Sequence, residues 1–535
     1  MNLKSGEIVY SCAESYPHGV ISERLPGSGV PLPREWYLQD PDDWLEVLCS
    51  LSKAALRATG IAPEQVVGIG TDFTSCTLVP SLEDGRVLCQ LPEYRERPHA
   101  WPKLWKHHGA QRYAEELEAY ALKHTDWLRS HFGSSVSSEW AFPKIMQIAR
   151  EDYALYQRTD HYIEALDWIV LKLSGRLTRC TAALGVNAFW IKGKGYPDKA
   201  FWKAVEPRME HVVEEKMRGR EVLVGEDCGT LTPEMAARMG LTAGTVISAG
   251  HSDGAVAGCG AGVVTSGSMM MVMGTSTCHQ MMYKDYHSFD GICSVAGDGM
   301  VPGLYGYECG QPAVGDIFEW YADNCAPAAY RDEAASKGIS LLQLMDRKAS
   351  ALRPGGNGLV ALDWFNGNRS ILSNYNLSGT IVGLTLHTKP EEIYRALVEA
   401  TQFGSRRIIE NYESNGVKID SLYAVGGLAR KSPFVVQICA DILGRTVLVP
   451  QLNNVPAMGA AVCAAVAVGP KRGGYADFEA AANSLIPKDR AEFKPNPKHH
   501  AVYNELYRYF CQLHDYFGRD DHLMRGLKTL SGQGA

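Results

Sequence analysis

The sequence lacks a long apolar run, a leading apolar segment and an excess of basic residues. No stretch reaches the roughly 18–20 apolar residues of a membrane-spanning helix, and the Ala-rich run 459–469 has about half that length. The first residues contain no apolar core of a secretory signal. The net charge is −7 with 16 histidines, so the chain lacks the excess of positive charge that is typical of nucleic-acid-binding proteins. We therefore expect neither a membrane nor a nucleic acid as a partner.

Paired cysteines and histidine clusters are also missing. The 14 cysteines are scattered singly, with no CxxC pair and no Cys/His group at zinc spacing. The adjacent histidines of His107-His108 and of His499-His500 cannot point to one face of a helix, which argues against a metal site there. Single free thiols are typical of a reducing compartment. The sequence thus predicts a cytoplasmic protein and assigns no metal ligands.

The composition and the order of predicted elements indicate a multidomain α/β protein. At 535 residues, 45% apolar and 21% charged, the chain is long enough for two to four globular domains. Helices and apolar strands alternate along it, as in layered α/β folds. Asp40 with the following proline opens an amphipathic helix that runs to Ala58 and stops at Gly60. Residues 94–150, rich in Trp, His and Tyr, are also predicted to be helical.

One aspartate, Asp253, follows a buried-looking strand at 246–249. A second apolar strand, at 270–273, ends in the turn Gly274-Thr275-Ser276. Such a turn offers backbone N–H groups and hydroxyls to phosphate oxygens, and a carboxylate can accept a proton from an attacking hydroxyl. The pair therefore suits phosphoryl transfer. The alternative is an aspartate that caps a turn beside a core strand.

Two later segments are rich in small residues. Gly426 and Gly427 follow a strand and precede a helix, which suits close approach of the backbone to a nucleotide because glycine has no Cβ. A plain strand-to-helix connection is the alternative. The helix start at 456–461 permits tight packing against another helix or a sheet. No GxxxxGK[ST] and no protein-kinase HRD or DFG set is present, so an ATP site would be of the actin-like kind.

The order of these segments is similar to that in the second half of actin-like sugar kinases, and the chain resembles the FGGY family of carbohydrate kinases. The stretches that carry the resemblance are 69–74, 98–108, 137–145, 305–311, 363–370 and 378–399. The stretch 98–108, with its Trp and His residues, is typical of the branch that acts on L-ribulose rather than on glycerol or xylulose. The likeness runs from roughly residue 15 to the C-terminus.

This resemblance implies a fold and an activity. Two actin-like, ribonuclease H-like α/β domains are expected, residues 1–256 for the sugar and residues 257–535 for ATP, with both ligands in the cleft between them. The implied reaction is ATP-dependent phosphorylation of L-ribulose, or of a close ketopentose or pentitol, at its terminal hydroxyl. The product would be L-ribulose 5-phosphate, in arabinose catabolism. ATP would bind together with Mg²⁺. The amphipathic C-terminal helix could pack within the chain or on a second copy, so a homodimer is also compatible with the sequence.

The same resemblance implies roles for individual residues. Asp253 would be the general base that takes the proton from the terminal hydroxyl. The residues expected at the phosphates are Gly274, Thr275 and Ser276, and those expected at the adenosine are Gly426, Gly427 and Leu428. The residues expected to line the sugar are Thr74, Ser75, Trp105 and Glu308. The alternative for Trp105 is a core anchor on a helix, and the alternative for Glu308 is a solvated turn residue.

Two segments depart from the family pattern. The family begins with a GxDxGT-type loop that holds phosphates, whereas residues 1–10 of this chain resemble the hairpin turn and strand that follow it. The first strand of the N-terminal domain is therefore expected to be absent. At 184–190 the family reads GYKAxW, with the lysine directed at the sugar. Asn187 takes its place here, and its amide is expected to bind a sugar hydroxyl with altered selectivity.

These departures leave two interpretations open. A start codon placed downstream of the true one would be compatible with an active sugar kinase. A paralogue with weak or no turnover would instead be a sugar- or nucleotide-binding protein. A third interpretation, a polymerising actin-like ATPase, is disfavoured because such a protein has no use for the Trp/His-rich region 94–140.

Overall fold

The computed structural model describes residues 1–520 and 522–530, and these residues form two compact units. The first unit contains residues 1–265, 295–306 and 452–487, and the rest of the described chain forms the second. Segments 295–306 and 452–487 therefore belong to the first unit although they lie beyond residue 256. The compact units differ from the division 1–256 and 257–535 in these two segments, which return to pack with earlier residues, and in residues 257–265, which also belong to the first unit.

The strands are short, and most of them lie in small sheets. Their bounds are β1 Gly68–Ile69, β2 Asp72–Phe73, β3 Leu78–Ser81, β4 His161–Glu164, β5 Thr178–Cys180, β6 Arg220–Val222, β7 Asp227–Thr230, β8 Val246–Ser248, β9 His251–Ser252, β10 Ser268–Met273, β11 Thr277–Tyr283, β12 Ser294–Gly297, β13 Tyr305–Gln311, β14 Val360–Leu362, β15 Thr380–Val382, β16 Ser421–Val425, β17 Val447–Pro450 and β18 Arg490–Phe493.

The helices alternate with these strands through most of the chain. Their bounds are α1 Pro41–Thr59, α2 Gln111–His124, α3 Trp127–His131, α4 Ala141–Glu151, α5 Tyr153–Arg158, α6 Ala165–Ser174, α7 Thr181–Asn187, α8 Lys199–Val205, α9 Val212–Lys216, α10 Pro233–Met239, α11 Asp253–Gly260, α12 Gly315–Asn324, α13 Ala328–Ser336, α14 Leu341–Ser350, α15 Pro390–Ser414, α16 Gly427–Lys431, α17 Pro433–Leu443, α18 Val455–Val468, α19 Phe478–Leu485, α20 Pro497–Arg519 and α21 His522–Leu530.

In the first unit, two parallel strand pairs follow each other and end at the same place. β1 pairs with β8, with Ile69 opposite Ile247, and β2 then pairs with β9, with Asp72 opposite His251. β7 completes the sheet on the other side of β8. Because β2 and β9 end side by side, the residues that follow them, the turn 74–77 and Asp253, begin at one edge.

Helix α18 lies against both of these strand ends. A Cβ added to Gly70, just before β2, would lie 1.8 Å from the carbonyl oxygen of Ala460 in α18. A Cβ on Gly459 would lie 1.9 Å from the carbonyl oxygen of Val256 in α11, and one on Gly260 would lie 1.9 Å from that of Val455. The tight packing predicted for the helix start at 456–461 is confirmed.

The second unit is built on a mixed sheet in which β13, β11, β10, β16, β17 and β18 are successive neighbours. β10 is antiparallel to β11 and parallel to β16, with Val272 opposite Val425. The C-terminal helix α20 buries Tyr503 and Phe510 against this unit and packs on α17 and β14. One face of this helix therefore packs internally, and the homodimer stays a prediction.

Several predicted elements are confirmed and two are not. Helix α1 has Asp40 as its N-cap and Gly60 as a left-handed C-cap, as predicted. Residues 94–110 are not an α-helix, because Pro98 and Pro102 interrupt the segment and only single 3₁₀ turns form there. The predicted N-terminal turn is present, with the Asn2 N–H bonded to the Glu7 carbonyl, but residues 8–10 pair with no described strand.

Within residues 1–520 and 522–530, no helix is both long enough and apolar enough to cross a membrane.

Candidate active site

Asp253 is the first residue of α11 and directly follows β9. Its side chain is half-buried, and its carboxylate accepts the N–H of Gly254 at 2.7 Å. The backbone N–H of Ser75 also donates to this carboxylate. Burial raises the pKa of Asp253, while these donors act in the opposite direction. The carboxylate therefore contacts the first turn of α11, whose N-cap is Ser252, and also the turn that was predicted to hold the sugar.

A second carboxylate, that of Asp72, lies close to Asp253. Burial, and then the negative charge of Asp253, raise the pKa of Asp72 to about 6. Parallel pairing of β2 with β9 brings the two residues together, since Asp72 lies opposite His251. The sequence contains Asp72 in the stretch 69–74, but it gives no sign that a residue 181 positions away would be its neighbour.

Replacing this second carboxylate should change the pH dependence of any reaction that uses Asp253 as a base. In Asp72→Asn the ionisation near pH 6 beside Asp253 is lost, so a step of kcat/KM in that pH region should disappear. Stability should also respond. Because the raised pKa lets folded Asp72 keep a proton between pH 3.8 and about 6, its contribution to stability falls as pH rises through that window. In denaturant unfolding at pH 4 and pH 7, the free energy of unfolding of Asp72→Asn should not show this fall with pH. If the pH dependence of stability and of kcat/KM were the same in the variant and the wild type, the interaction of Asp72 with Asp253 would be contradicted.

The turn 74–77 joins three of the predicted sugar residues. The hydroxyls of Thr74 and Thr77 are hydrogen-bonded at 2.8 Å. The Asn187 side-chain Nδ2, at the end of α7, donates to the Ser75 hydroxyl at 3.4 Å. Asn187 is fully buried, and its Oδ1 atom has no partner among the described residues. A buried amide oxygen is costly to leave unpaired, so this atom is available to a donor such as a sugar hydroxyl.

Trp105 lies in the first unit and Glu308 lies in the second. Trp105 is 43% exposed, whereas Trp101 and Trp168 are fully buried. The alternative that Trp105 anchors the core is therefore wrong. Glu308 belongs to β13 in the second unit, and its carbonyl accepts the Cys293 N–H at 2.8 Å. It is consequently a strand residue rather than a residue of a solvated turn, and its role at the sugar stays a prediction.

The predicted phosphate turn is the tip of the β10–β11 hairpin. The Gly274 N–H donates to the Ser276 carbonyl at 2.8 Å, which closes the turn. The start of α12 supports it from behind, since the N–H groups of Val314 and Gly315 donate to the carbonyls of Thr275 and Gly274 at 2.7 and 3.1 Å. A Cβ on Gly315 would lie 2.5 Å from the Gly274 carbonyl oxygen. Gly315 is thus required for this support, and we did not identify it from the sequence.

The predicted adenosine turn lies at the end of the neighbouring strand. β16 ends at Val425, Gly426 adopts a φ of 97°, and Gly427 begins α16 with open space above its Cα. Because β10 and β16 are parallel neighbours, both turns lie at the same edge of the sheet, where ligands bind in open α/β sheets. Leu428 continues α16 and is half-buried.

A cavity of about 230 Å³ opens at the far end of α16. Its walls include Asp346, Lys431 and Phe434. Five helical residues span about 7 Å, so the cavity and the glycine turn are separated by roughly the length of a nucleoside. The Ser432 hydroxyl donates to Asp346 at 2.6 Å and fixes one wall. The arrangement can hold a flat, partly polar ring in the cavity, a nucleoside along the Gly426 turn and phosphates at the Gly274 turn.

The close contact of Gly426 gives a direct test of this turn. In Gly426→Ala the new Cβ would lie 2.5 Å from the Met273 carbonyl oxygen, at a φ that L-residues rarely adopt. We expect the KM for MgATP to rise by about tenfold or more, which corresponds to about 1.4 kcal/mol. Gly473→Ala is the matched control, since Gly473 has a φ of 88° but open space around its Cα. Equal effects on the KM for MgATP would refute a specific role of the Gly426 turn.

Residues 1–520 and 522–530 contain no group of three or more His, Cys, Asp or Glu side chains that could hold a metal ion.

The site residues fall into two sets by unit. The first set, in the first unit, contains Asp253, Thr74, Ser75, Asn187 and Trp105. The second set, in the second unit, contains Glu308 and the residues of the two glycine turns. The first set can bind hydroxyls and accept a proton, whereas the second can bind a phosphorylated nucleotide.

Two family models match the chain in separate halves. The model of the FGGY family of carbohydrate kinases, N-terminal domain, matches residues 28–260, and that of the C-terminal domain matches residues 269–468. The chain is 46% identical to the ribulokinase of Anoxybacillus flavithermus over 514 residues, 96% of this chain and 91% of that protein. It is 44% identical to the ribulokinase of Halalkalibacterium halodurans over 531 residues, 99% of this chain and 94% of that protein.

Solved structures of sugar kinases share the architecture. The gluconate kinase of Lactobacillus acidophilus superposes with a TM-score of 0.78 at 18% identity, covering 96% of this chain and 94% of that one. The xylulose kinase of Rhodospirillum rubrum superposes with a TM-score of 0.74 at 22% identity, covering 91% of each chain. At these identities the likeness concerns the fold alone. It confirms the predicted two-domain α/β fold of actin-like type.

Proposed function

Because the chain belongs to the FGGY family of carbohydrate kinases, we propose that it phosphorylates L-ribulose at the terminal hydroxyl with MgATP. The products are ADP and L-ribulose 5-phosphate, and the reaction belongs to arabinose catabolism. Relatives that are 36–46% identical over at least 96% of this chain carry the name ribulokinase, which supports this choice of sugar. It also favours an active enzyme over a paralogue that only binds its ligands. The unpaired cysteines support a cytoplasmic location.

The placement of Asp253 carries the proposal. Its carboxylate is half-buried at the end of a strand pair and lies beside the Ser75 turn. A sugar hydroxyl bound at this turn would lie within reach of a carboxylate whose pKa is raised by burial, which strengthens it as a base. Asp253 would take the hydroxyl proton as the oxygen attacks the γ-phosphorus, so that the phosphoryl group passes to the sugar and ADP leaves.

The remaining residues of the first unit would bind the sugar. The unpaired Oδ1 of buried Asn187 would accept a hydrogen bond from one hydroxyl. The Ser75 hydroxyl, already bonded to the Asn187 amide, would receive or donate another. The exposed face of Trp105 would cover the C–H edge of the sugar. Glu308 in the second unit is proposed as a further hydroxyl acceptor.

The second unit would bind the nucleotide. Gly274, Thr275 and Ser276 would contact the phosphates, and Gly426, Gly427 and Leu428 would lie along the adenosine. The open space over Gly427 and the cavity at the end of α16 support this placement. Mg²⁺ is expected to arrive with the nucleotide as MgATP, since phosphate oxygens bind this ion readily.

Trp105 offers a test of the sugar subsite that is independent of the base. Because its side chain is 43% exposed, Trp105→Ala should leave the fold intact. The KM for L-ribulose should rise about tenfold, equivalent to about 1.4 kcal/mol. Trp320→Ala is the matched control, since Trp320 is also 43% exposed but lies in the second unit. A sugar KM that rises equally in both variants would argue against a Trp105 sugar contact.

The direct test is ADP release by the full chain with MgATP and one sugar at a time. We expect L-ribulose to support the highest kcat/KM among L-ribulose, D-ribulose, D-xylulose and ribitol. Phosphorus NMR of the product should place the phosphate on the terminal carbon. If ADP were released only with a different sugar, that sugar would be the substrate in place of L-ribulose. If a folded sample released no ADP in response to any of the sugars, the binding-protein interpretation would be favoured.

A further inference from the structure

Lys144 connects the two segments that flank the proposed sugar subsite. Its side chain is completely buried on α4. The Nζ atom donates to the carbonyl of Cys76 at 2.7 Å and to the carbonyl of Leu104 at 2.8 Å. Cys76 follows Ser75, and Leu104 precedes Trp105. One buried amine therefore holds the backbone next to two residues that the proposed function assigns to the sugar.

The geometry of these two segments explains why such a tie is needed. Leu78 and Lys103 exchange two backbone hydrogen bonds of 2.9 Å, and Lys144 bridges the carbonyls of Cys76 and Leu104 next to this pair. Cys76 has a φ of 61°, a left-handed conformation that costs a non-glycine residue free energy. Lys144 bonds the carbonyl of this residue, and the Asp253 carboxylate bonds the N–H of the residue before it. The turn is thus fixed from both sides.

We propose that Lys144 is a positioning residue for the sugar: it ties the Ser75–Cys76 turn to the Leu104–Trp105 segment and so sets the width of the sugar subsite. It does not touch the sugar itself. The inference rests on the proposed function for the identity of the ligand, but the tie itself is a property of the fold. Loss of the Nζ donors would let the two segments separate, and a displacement of about 1 Å at a substrate-positioning group can cost about 10²-fold.

Lys144→Met tests this proposal, and Lys216→Met is its matched control. Lys216 is also a buried lysine of the first unit whose Nζ donates to a backbone carbonyl, that of Thr159 at 2.6 Å, but no proposed sugar residue adjoins it. Both variants should lose thermal stability. Only Lys144→Met should raise the KM for L-ribulose, by about tenfold to 10²-fold, while its KM for MgATP stays within about twofold. A sugar KM unchanged in Lys144→Met, or raised equally in Lys216→Met, would overturn the proposal.

Hydrogen exchange supplies a readout that does not depend on catalysis. Exchange of the backbone amides in 74–78 and 103–106 should accelerate in Lys144→Met and stay unchanged in Lys216→Met. If the wild type released no ADP with L-ribulose, the proposed function would be refuted. If hydrogen exchange in these two segments were unchanged in Lys144→Met, the proposal that Lys144 holds them together would be refuted. Should Lys144→Met not fold, Lys144→Arg is measured against the same criteria, because guanidinium donors cannot reproduce both short Nζ contacts.

A double variant separates positioning from a general loss of stability. Glycine adopts a left-handed φ without cost, so Cys76→Gly should relieve the strain that Lys144 helps to hold. Added to Lys144→Met, it should recover part of the sugar affinity. A double variant with a KM for L-ribulose no lower than that of Lys144→Met would contradict the strained-turn explanation.

Discussion

Asp253→Asn is expected to lower kcat by about 10²–10⁴, because the variant keeps the shape of the side chain but cannot accept the hydroxyl proton. The amide oxygen can still accept the N–H groups of Gly254 and Ser75, which donate to the carboxylate in the wild type. The start of α11 should therefore remain in place. Steady-state ADP release with saturating L-ribulose and MgATP measures the loss, and calorimetric titration with ATP should show binding close to that of the wild type.

A matched substitution distinguishes loss of the base from loss of a carboxylate that bonds the first turn of a helix. Asp198 caps α8 by accepting the Phe201 N–H at 2.9 Å, and it belongs to no part of the proposed site. Asp198→Asn should retain near-wild-type turnover, since Asn and Asp are equally good N-caps. More than about a tenth of the wild-type rate in Asp253→Asn would exclude Asp253 as the base, given the size of general-base effects.

Gly459→Ala should combine a loss of activity with a loss of stability. The new Cβ would lie 1.9 Å from the Val256 carbonyl oxygen in α11, so the two helices must move apart. Overpacking of this kind typically costs about 1–3 kcal/mol. Because Asp253 is the first residue of α11, the shift should also misplace the base and lower kcat by about 10²-fold. Denaturant unfolding and steady-state kinetics measure the two effects.

Gly526→Ala is the matched control for this prediction. Gly526 lies within helix α21, and no atom lies within 4 Å of a Cβ built there. The substitution should leave kcat unchanged and raise stability slightly, by about 0.5–1 kcal/mol, because alanine favours the helix. If Gly459→Ala retained wild-type kcat, α18 would not determine the position of Asp253.

Local signals in the sequence determined many of the elements. The cap residues Asp40 and Gly60 set both ends of α1. Caps, prolines and apolar periodicity act within a few residues, so the sequence alone can reveal them. The same holds for the small residues of α18, whose tight packing followed from their size. The helical prediction for 94–150 was wrong over 94–110, because two prolines outweighed the aromatic composition of that part.

The candidate site could be predicted only in part. Asp253 and the two glycine turns were identified from residue types placed after apolar strands, and the family resemblance supplied Trp105 and the turn at Thr74 and Ser75. Their roles stay predictions. Asp72, Gly315 and Lys144 were not identified as site residues, since each matters through a neighbour more than 35 residues away.

Short-range patterns in the chain therefore specify which chemical groups are present and which strands or turns carry them. Tertiary structure alone decided which of these groups meet. The pairing of β2 with β9 brings Asp72 beside Asp253, and the return of α18 to the first unit fixes the helix that begins with Asp253. Such contacts depend on strand register and on packing between distant segments, and no signal within a short stretch of sequence specifies either.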